Sequence, residues 1–135
     1  MNAHDQVLNA AAELVSAFER NDREAYFGAF TSDASFVFYT LDKPLLSRDA
    51  YQVLWDNWRL EEGFEVLSCT SGNAFVSVQG DVAIFVHDVA TTLRMQGEQH
   101  FSQERETIVF RQQPQGHWLA CHEHLSAMPQ RLPTP

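Results

Sequence analysis

Cysteine, basic residues and long apolar runs are all scarce in this sequence. Its two cysteines, Cys69 and Cys121, are too few for the disulfide framework of a small secreted domain. Lys and Arg together number 9 against 18 Asp and Glu, whereas a nucleic-acid partner requires a basic surface. No apolar run approaches the ~20 residues of a membrane-spanning helix. We therefore expect no nucleic acid and no membrane as partners.

The motifs of several enzyme classes are also missing. The chain contains no GxSxG, no GxGxxG and no phosphate-binding loop, which argues against the hydrolases and nucleotide-binding enzymes that use them. Cys121 and His122 are neighbours in a predicted strand and face opposite sides, so they cannot form a nucleophilic pair. We predict no cofactor. The N-terminus lacks the basic and apolar regions of a signal peptide, and we expect a cytoplasmic location.

Helical periodicity marks the first part of the chain. Apolar residues recur at three- and four-residue steps over 4–20, which predicts an amphipathic helix. Asn21 or Asp22 is suited to cap a short second helix. A third helix follows Ser47, and its apolar face is heavily aromatic, with Tyr51, Leu54, Trp55 and Trp58.

Strand patterns account for most of the remaining residues. Ser32 and Asp33 predict a turn before a strand at Phe36–Tyr39. After residue 63 the chain alternates long strands with turn signals, which predicts four antiparallel strands. The turns are expected at Gly80-Asp81, Gln96-Gly97 and Pro114–Gly116, with a bend at Ser71–Asn73.

These elements predict an α+β protein with a cone-shaped, curved antiparallel sheet packed against three N-terminal helices. We expect residues 1–129 to form one domain and residues 130–135 a flexible tail. A curved sheet around helices leaves a concave interior, and concave, mostly apolar sites bind small molecules. The sequence therefore predicts a small-molecule ligand inside the cone.

The stretch GHWLACHEHLS contains two histidines that could carry chemistry. In a regular strand His122 and His124 point to one face, together with Trp118. Two such imidazoles could bind a metal, act in acid–base catalysis, or line a pocket whose chemistry lies elsewhere. A metal is the least favoured of these, because the sequence does not single out a third ligand from His87, Asp88, His100 and Glu106. A β-bulge would reverse which side chains face the pocket.

The segment SQERETIVFRQQPQGHWLACHEHLSAMP resembles the terminal hairpin of the nuclear transport factor 2-like (SnoaL-like, cystatin-like) superfamily. It is most similar to the association domain of calcium/calmodulin-dependent kinase II and its small bacterial relatives. The resemblance extends over residues 5–129 and implies a cone fold, a pocket and a homodimer formed through the sheet face. The matching residues are Ser102, Gln103, Glu106, Thr107, Val109, Gly116, Trp118, His122, His124 and Ser126.

Basic residues of the association-domain pocket are replaced in this chain. The arginine of its Glu-Thr-Arg-Val-Trp motif corresponds to Ile108, and Leu125 stands between the second histidine and the serine. Arginine is the side chain that best recognises anions, so the resemblance does not carry an anion site over to this chain.

Two functions remain open because a fold does not determine a function. One is acid–base chemistry on a small apolar ligand, of the isomerase, dehydratase or cyclase kind found in the superfamily. The other is a non-catalytic, homodimeric ligand-binding or association domain. The predicted catalytic residues are His122, His124, Glu106 and Tyr39, and the predicted ligand-binding residues are Trp55, His87, Ile108 and Phe38.

Overall fold

In the computed structural model, which describes residues 1–129, three helices lie against one face of a curved five-stranded sheet. The predicted α+β architecture is confirmed. The expected tail at 130–135 falls outside the described residues. No helix within residues 1–129 is both long and apolar enough to cross a membrane. The elements are α1 (Ala3–Glu19), α2 (Arg23–Gly28), β1 (Phe30–Phe38), α3 (Arg48–Glu62), β2 (Glu65–Gln79), β3 (Val82–Met95), β4 (Glu98–Gln112) and β5 (Trp118–Ala127).

The sheet has the strand order β1-β5-β4-β3-β2. Strands β2 to β5 form the predicted antiparallel meander. Strand β1 pairs in parallel with β5, so the sheet is not antiparallel throughout. The whole meander separates the two strands in sequence, and no local turn signal could reveal their pairing.

Strand β1 begins earlier than the sequence indicated. Ser32 and Asp33, expected in a turn, lie inside β1. The strand is irregular there, with a register shift between Phe30 and Ser35. Asp33 points to solvent and accepts a hydrogen bond of 2.9 Å from Arg111 of β4, so tertiary contacts override the local turn preference.

Aromatic side chains form the core between the helices and the sheet. Trp55 of α3 is fully buried, and its ring packs against those of Phe18, Tyr26, Phe27 and Phe64. Such rings stabilise a core through large buried area and edge-to-face contacts.

Asn21 connects the helical layer to the edge of the sheet. Its side-chain amide donates to the carbonyl oxygen of Val66 at 2.9 Å and accepts from the Val66 amide at 2.8 Å. The residue has a left-handed φ of 57°, which asparagine tolerates better than most residues. Asn21 thus fixes the α1–α2 corner against β2.

We predict that Asn21→Ala lowers the free energy of unfolding by about 1–3 kcal/mol, because two partly buried backbone groups lose their partner. Urea denaturation measures the change. Asn73→Ala is the matched control, since Asn73 also has a left-handed φ of 51° but makes an exposed hydrogen bond to Asp88. An equal loss in both variants would mean that the hydrogen bonds to Val66 contribute nothing.

Candidate functional site

A cavity of about 300 Å³ lies between the helices and the inner face of the sheet. Its walls are mainly apolar and aromatic, and they enclose three glutamate side chains. Tyr26, Tyr51 and Glu123 at the inner end are almost fully buried, whereas Tyr39 at the other end is 47% exposed. The polar lining residues are Tyr39, Thr40, Thr91, His100, Ser102, Glu104, Glu106 and Glu123.

Strand β4 supplies two of the three carboxyl groups. Glu104 and Glu106 are two residues apart, so both point to the inner face while Arg105 points out. Glu106 stands opposite His87 of β3 in the register, and its Oε1 lies 2.7 Å from Nε2 of His87. On the other side of the ring, Nδ1 lies 2.6 Å from the hydroxyl of Ser71.

These contacts define the hydrogen positions on His87. An ionised carboxylate only accepts, so Nε2 of His87 carries the hydrogen that is donated to Glu106. In the neutral ring Nδ1 then accepts from the Ser71 hydroxyl. His87 is fully buried and therefore orients Glu106 from behind the cavity wall.

Strand β5 supplies the third carboxyl group because of a β-bulge. Val109 of β4 pairs with His122 and Phe110 pairs with Ala120, which leaves Cys121 as an extra residue. Trp118 and Ala120 face inward before the bulge, and Glu123 and Leu125 face inward after it. The extra residue shifts the alternation by one position.

The structure therefore corrects the expected placement of the two histidines. His122 and His124 follow the bulge and lie on the outer face of the sheet, where Nδ1 of His122 lies 2.8 Å from the hydroxyl of Ser35. Partial burial lowers the pKa of His122, and the neighbouring His124 lowers it further. Within residues 1–129 no three His, Cys, Asp or Glu side chains are grouped to hold a metal ion.

The environment of Glu123 favours its neutral form. The residue is 3% exposed, and burial raises its pKa well above the ordinary value. The negative charge of Glu106 and a hydrogen bond with Glu106 raise this pKa further. Two adjacent carboxyl groups in an apolar site cannot both ionise easily, so we describe Glu106 and Glu123 as a pair that holds one proton.

Tyrosine hydroxyls lie at both ends of the cavity. Tyr39 donates a hydrogen bond of 2.7 Å to Glu104, and burial together with this bond raises the pKa of Tyr39 to about 12. Burial also raises the pKa of Glu104, although hydrogen bonds from Tyr39 and Ser102 oppose this. At the inner end, the hydroxyls of Tyr26 and Tyr51 are 3.0 Å apart.

The structure brings only part of the predicted site together. Glu106, Tyr39 and Phe38 line the cavity, and His87 contacts it through Glu106. Trp55 and Ile108 are fully buried in the core and are not among the lining residues.

Sequence analysis missed Glu104, Glu123 and the pair of tyrosines. Glu104 could have been found from the sequence, because it lies two residues before Glu106 in a strand and therefore faces the same side. Glu123 could not, since its orientation depends on the bulge.

Comparison with known protein families confirms the superfamily that the sequence resembles. A model of the SnoaL-like domain matches residues 7–130, so the chain belongs to the SnoaL-like family. A search of curated proteins finds no significant match.

Solved structures with the same fold include proteins of different described roles. An NTF2-like protein from Cytophaga hutchinsonii superposes with a TM-score of 0.81 at 13% identity, covering 95% of this chain and 100% of the other. A ketosteroid isomerase-like protein from Erwinia carotovora atroseptica gives 0.79 at 17% identity, with coverages of 96% and 100%. The CaMKII hub of S. rosetta gives 0.77 at 18% identity, with coverages of 95% and 98%. At these identities the likeness shows the fold alone.

We predict that Glu123→Gln stabilises the protein increasingly as the pH rises. The folded-state pKa of Glu123 lies above the unfolded value of about 4.3, so protonated Glu123 contributes stability at low pH that is lost as the pH rises through its folded pKa. Glutamine mimics the protonated form and escapes this loss.

Thermal melts between mildly acidic and mildly basic pH measure the difference between the variant and the unmodified protein. Glu98→Gln is the control, because Glu98 is exposed at the start of β4. A difference that stays constant with pH for Glu123→Gln would contradict the raised pKa.

Proposed function

We propose that the cavity binds a small, largely apolar molecule and performs acid–base chemistry on it. The observation that carries this proposal is the convergence of Glu104, Glu106 and Glu123 in one aromatic-walled cavity. Carboxyl groups with shifted pKa values in an apolar cleft are characteristic of sites that move protons near neutral pH. The ketosteroid isomerase-like relative supports the same class of chemistry by fold analogy.

The surroundings assign different roles to the paired carboxyl groups. Nε2 of His87 lies 2.7 Å from Glu106 and orients this carboxyl group, which acts as the base. Glu123 holds the proton and acts as the acid. Glu106 would remove a proton from the ligand while Glu123 protonates or hydrogen-bonds the atom where negative charge develops. The apolar walls strengthen both interactions because they exclude water.

Tyr39 and Glu104 stand at the open end of the cavity. Their hydrogen bond closes part of the entrance, and Tyr39 presents an aromatic ring to an entering molecule. We propose that they position the ligand and take no part in the proton transfer at Glu106.

Elimination of nitrobenzisoxazole tests for a base in the cavity without knowledge of the natural ligand. Removal of one C–H proton by a base breaks the ring N–O bond and releases a coloured nitrophenolate. We predict that the protein accelerates this reaction and that Glu106→Gln lowers the rate by about 100-fold or more. The rate is measured by absorbance under matched conditions.

Glu98→Gln serves as the control, since it removes an exposed carboxylate from the same strand. A thermal melt of Glu106→Gln shows whether the variant is folded. An unchanged rate in a folded Glu106→Gln variant would refute the role of Glu106 as the base.

A second function, association through the outer face of the sheet, has its own support. Phe75 of β2 and Ile84 of β3 are 58% and 38% exposed, and both lie on the face opposite the cavity. The CaMKII hub relative has the same fold. We propose a homodimer formed by this face, and we retain the prediction of a cytoplasmic protein.

We predict that Ile84→Glu converts the dimer into a monomer, because a charge on an apolar interface costs more than the contact contributes. Sedimentation velocity at micromolar concentration measures the mass. Val53→Glu is the control, since Val53 of α3 is 61% exposed and apolar but lies outside the sheet. A monomeric unmodified protein would rule out the dimer.

A further inference from the structure

The cavity has an unusual balance of charge. Three of its lining residues are glutamates, and no lysine or arginine lines it. His100 is the single histidine among the lining residues, and it is exposed at the start of β4. A ligand that brings negative charge would meet carboxyl groups without a basic partner.

Hydrogen-bond acceptors also exceed donors inside the cavity. Tyr39 donates to Glu104 and His87 donates to Glu106. One of the hydroxyls of Tyr26 and Tyr51 donates to the other, which leaves one tyrosine hydrogen at the inner end. Each carboxyl group offers several acceptor positions, so acceptor positions remain in excess of these donors.

Glu123 is the clearest example of this surplus. This residue is only 3% exposed, and it lines the cavity. Across residues 1–129, no N–H or tyrosine, serine or threonine O–H group makes a hydrogen bond to its carboxyl group. The carboxyl group of Glu123 lines the cavity and can accept hydrogen bonds from a ligand that carries N–H groups.

The walls provide a second kind of attraction for positive charge. Phe18, Tyr26, Phe38, Tyr51 and Trp58 line the cavity. The faces of aromatic rings carry negative electrostatic potential and attract organic cations, most strongly where water is excluded.

From these features we infer that the ligand is a small organic amine, bound as its ammonium form with an apolar or aromatic body. Its N–H groups are bonded to the carboxyl groups of Glu104 and Glu123, and its body lies against the aromatic walls. The volume of about 300 Å³ is at the small end of ligand pockets, which limits the body to one or two rings. This inference rests on the proposed function and names the ligand class of the same cavity.

Three compounds that share an indole ring test the inference: tryptamine, tryptophol and indoleacetate. At neutral pH they carry an ammonium group, a neutral hydroxyl and a carboxylate, respectively. We expect isothermal titration calorimetry to show tryptamine binding at least about tenfold more tightly than tryptophol, since a hydrogen bond to a charged group is stronger than one between neutral groups. Indoleacetate should bind most weakly.

Two variants test which glutamate causes the preference for a positively charged ligand. Glu104→Gln should reduce the advantage of tryptamine by about tenfold while leaving tryptophol within about twofold. Glu123→Gln mimics the protonated carboxyl group and keeps an acceptor oxygen, so it should leave most of the advantage in place. Glu98→Gln should leave the order of the three compounds unchanged. Equal binding of tryptamine and tryptophol, or an advantage that survives Glu104→Gln, would overturn the inference.

The failure of this inference is distinguishable from the failure of the proposed function. Nitrobenzisoxazole is neutral, so its elimination reports on the base at Glu106 whatever charge the ligand carries. Catalysis of that elimination with no preference for tryptamine would keep the acid–base function and reject the amine. Absence of binding by all three indoles would also reject the amine, and the elimination assay would then decide the function alone.

Discussion

One extra residue in the last strand determines what the cavity contains. Cys121 is unpaired against β4, and it reverses the alternation of β5 between Ala120 and His122. Without it, the side chains of His122 and His124 would share the inward face of Trp118. With it, Glu123 enters the cavity beside Glu106 and the histidines lie outside. The chemistry of the site therefore depends on a local irregularity of the backbone.

The buried glutamates of the cavity destabilise the folded state, and the packing of the aromatic core offsets this cost. A carboxyl group that is buried without a cationic partner shifts its pKa or destabilises the fold. The aromatic cluster around Trp55 buries a large apolar area, and this burial stabilises the fold despite the glutamates. Positions that break the rule of an apolar interior are expected at functional sites, and here the breaks occur where a cavity separates the helices from the sheet.

Periodicity and turn residues predicted the helices and the hairpin turns well, because those signals are local. The caps of α2 and α3 at Asp22 and Ser47 are present as expected, and Gln96-Gly97 forms the tight turn between β3 and β4. The pairing of β1 with β5 is non-local, and no spacing in the sequence encodes it. The family resemblance drew attention to β5, which lines the cavity through Glu123 and Leu125, but alternation without the bulge assigned the wrong face of that strand. Only Glu106 and Glu104, on the regular strand β4, could be placed from alternation alone.

The regular strands β3 and β4 carry His87 and Glu106, and the irregular strands β2 and β5 lie on either side of them. His87 and Glu106 lie opposite each other in the regular register of β3 and β4. In β2, a register shift follows Gly72, directly after Ser71, whose hydroxyl contacts His87. In β5, the bulge at Cys121 directs Glu123 towards Glu106. Bulges commonly re-aim side chains next to active sites, and here one stands on each side of the pair. His87, itself in contact with Ser71, approaches Glu106 from one side, and Glu123 approaches it from the other, so Glu106 is held in a fixed position within the cavity.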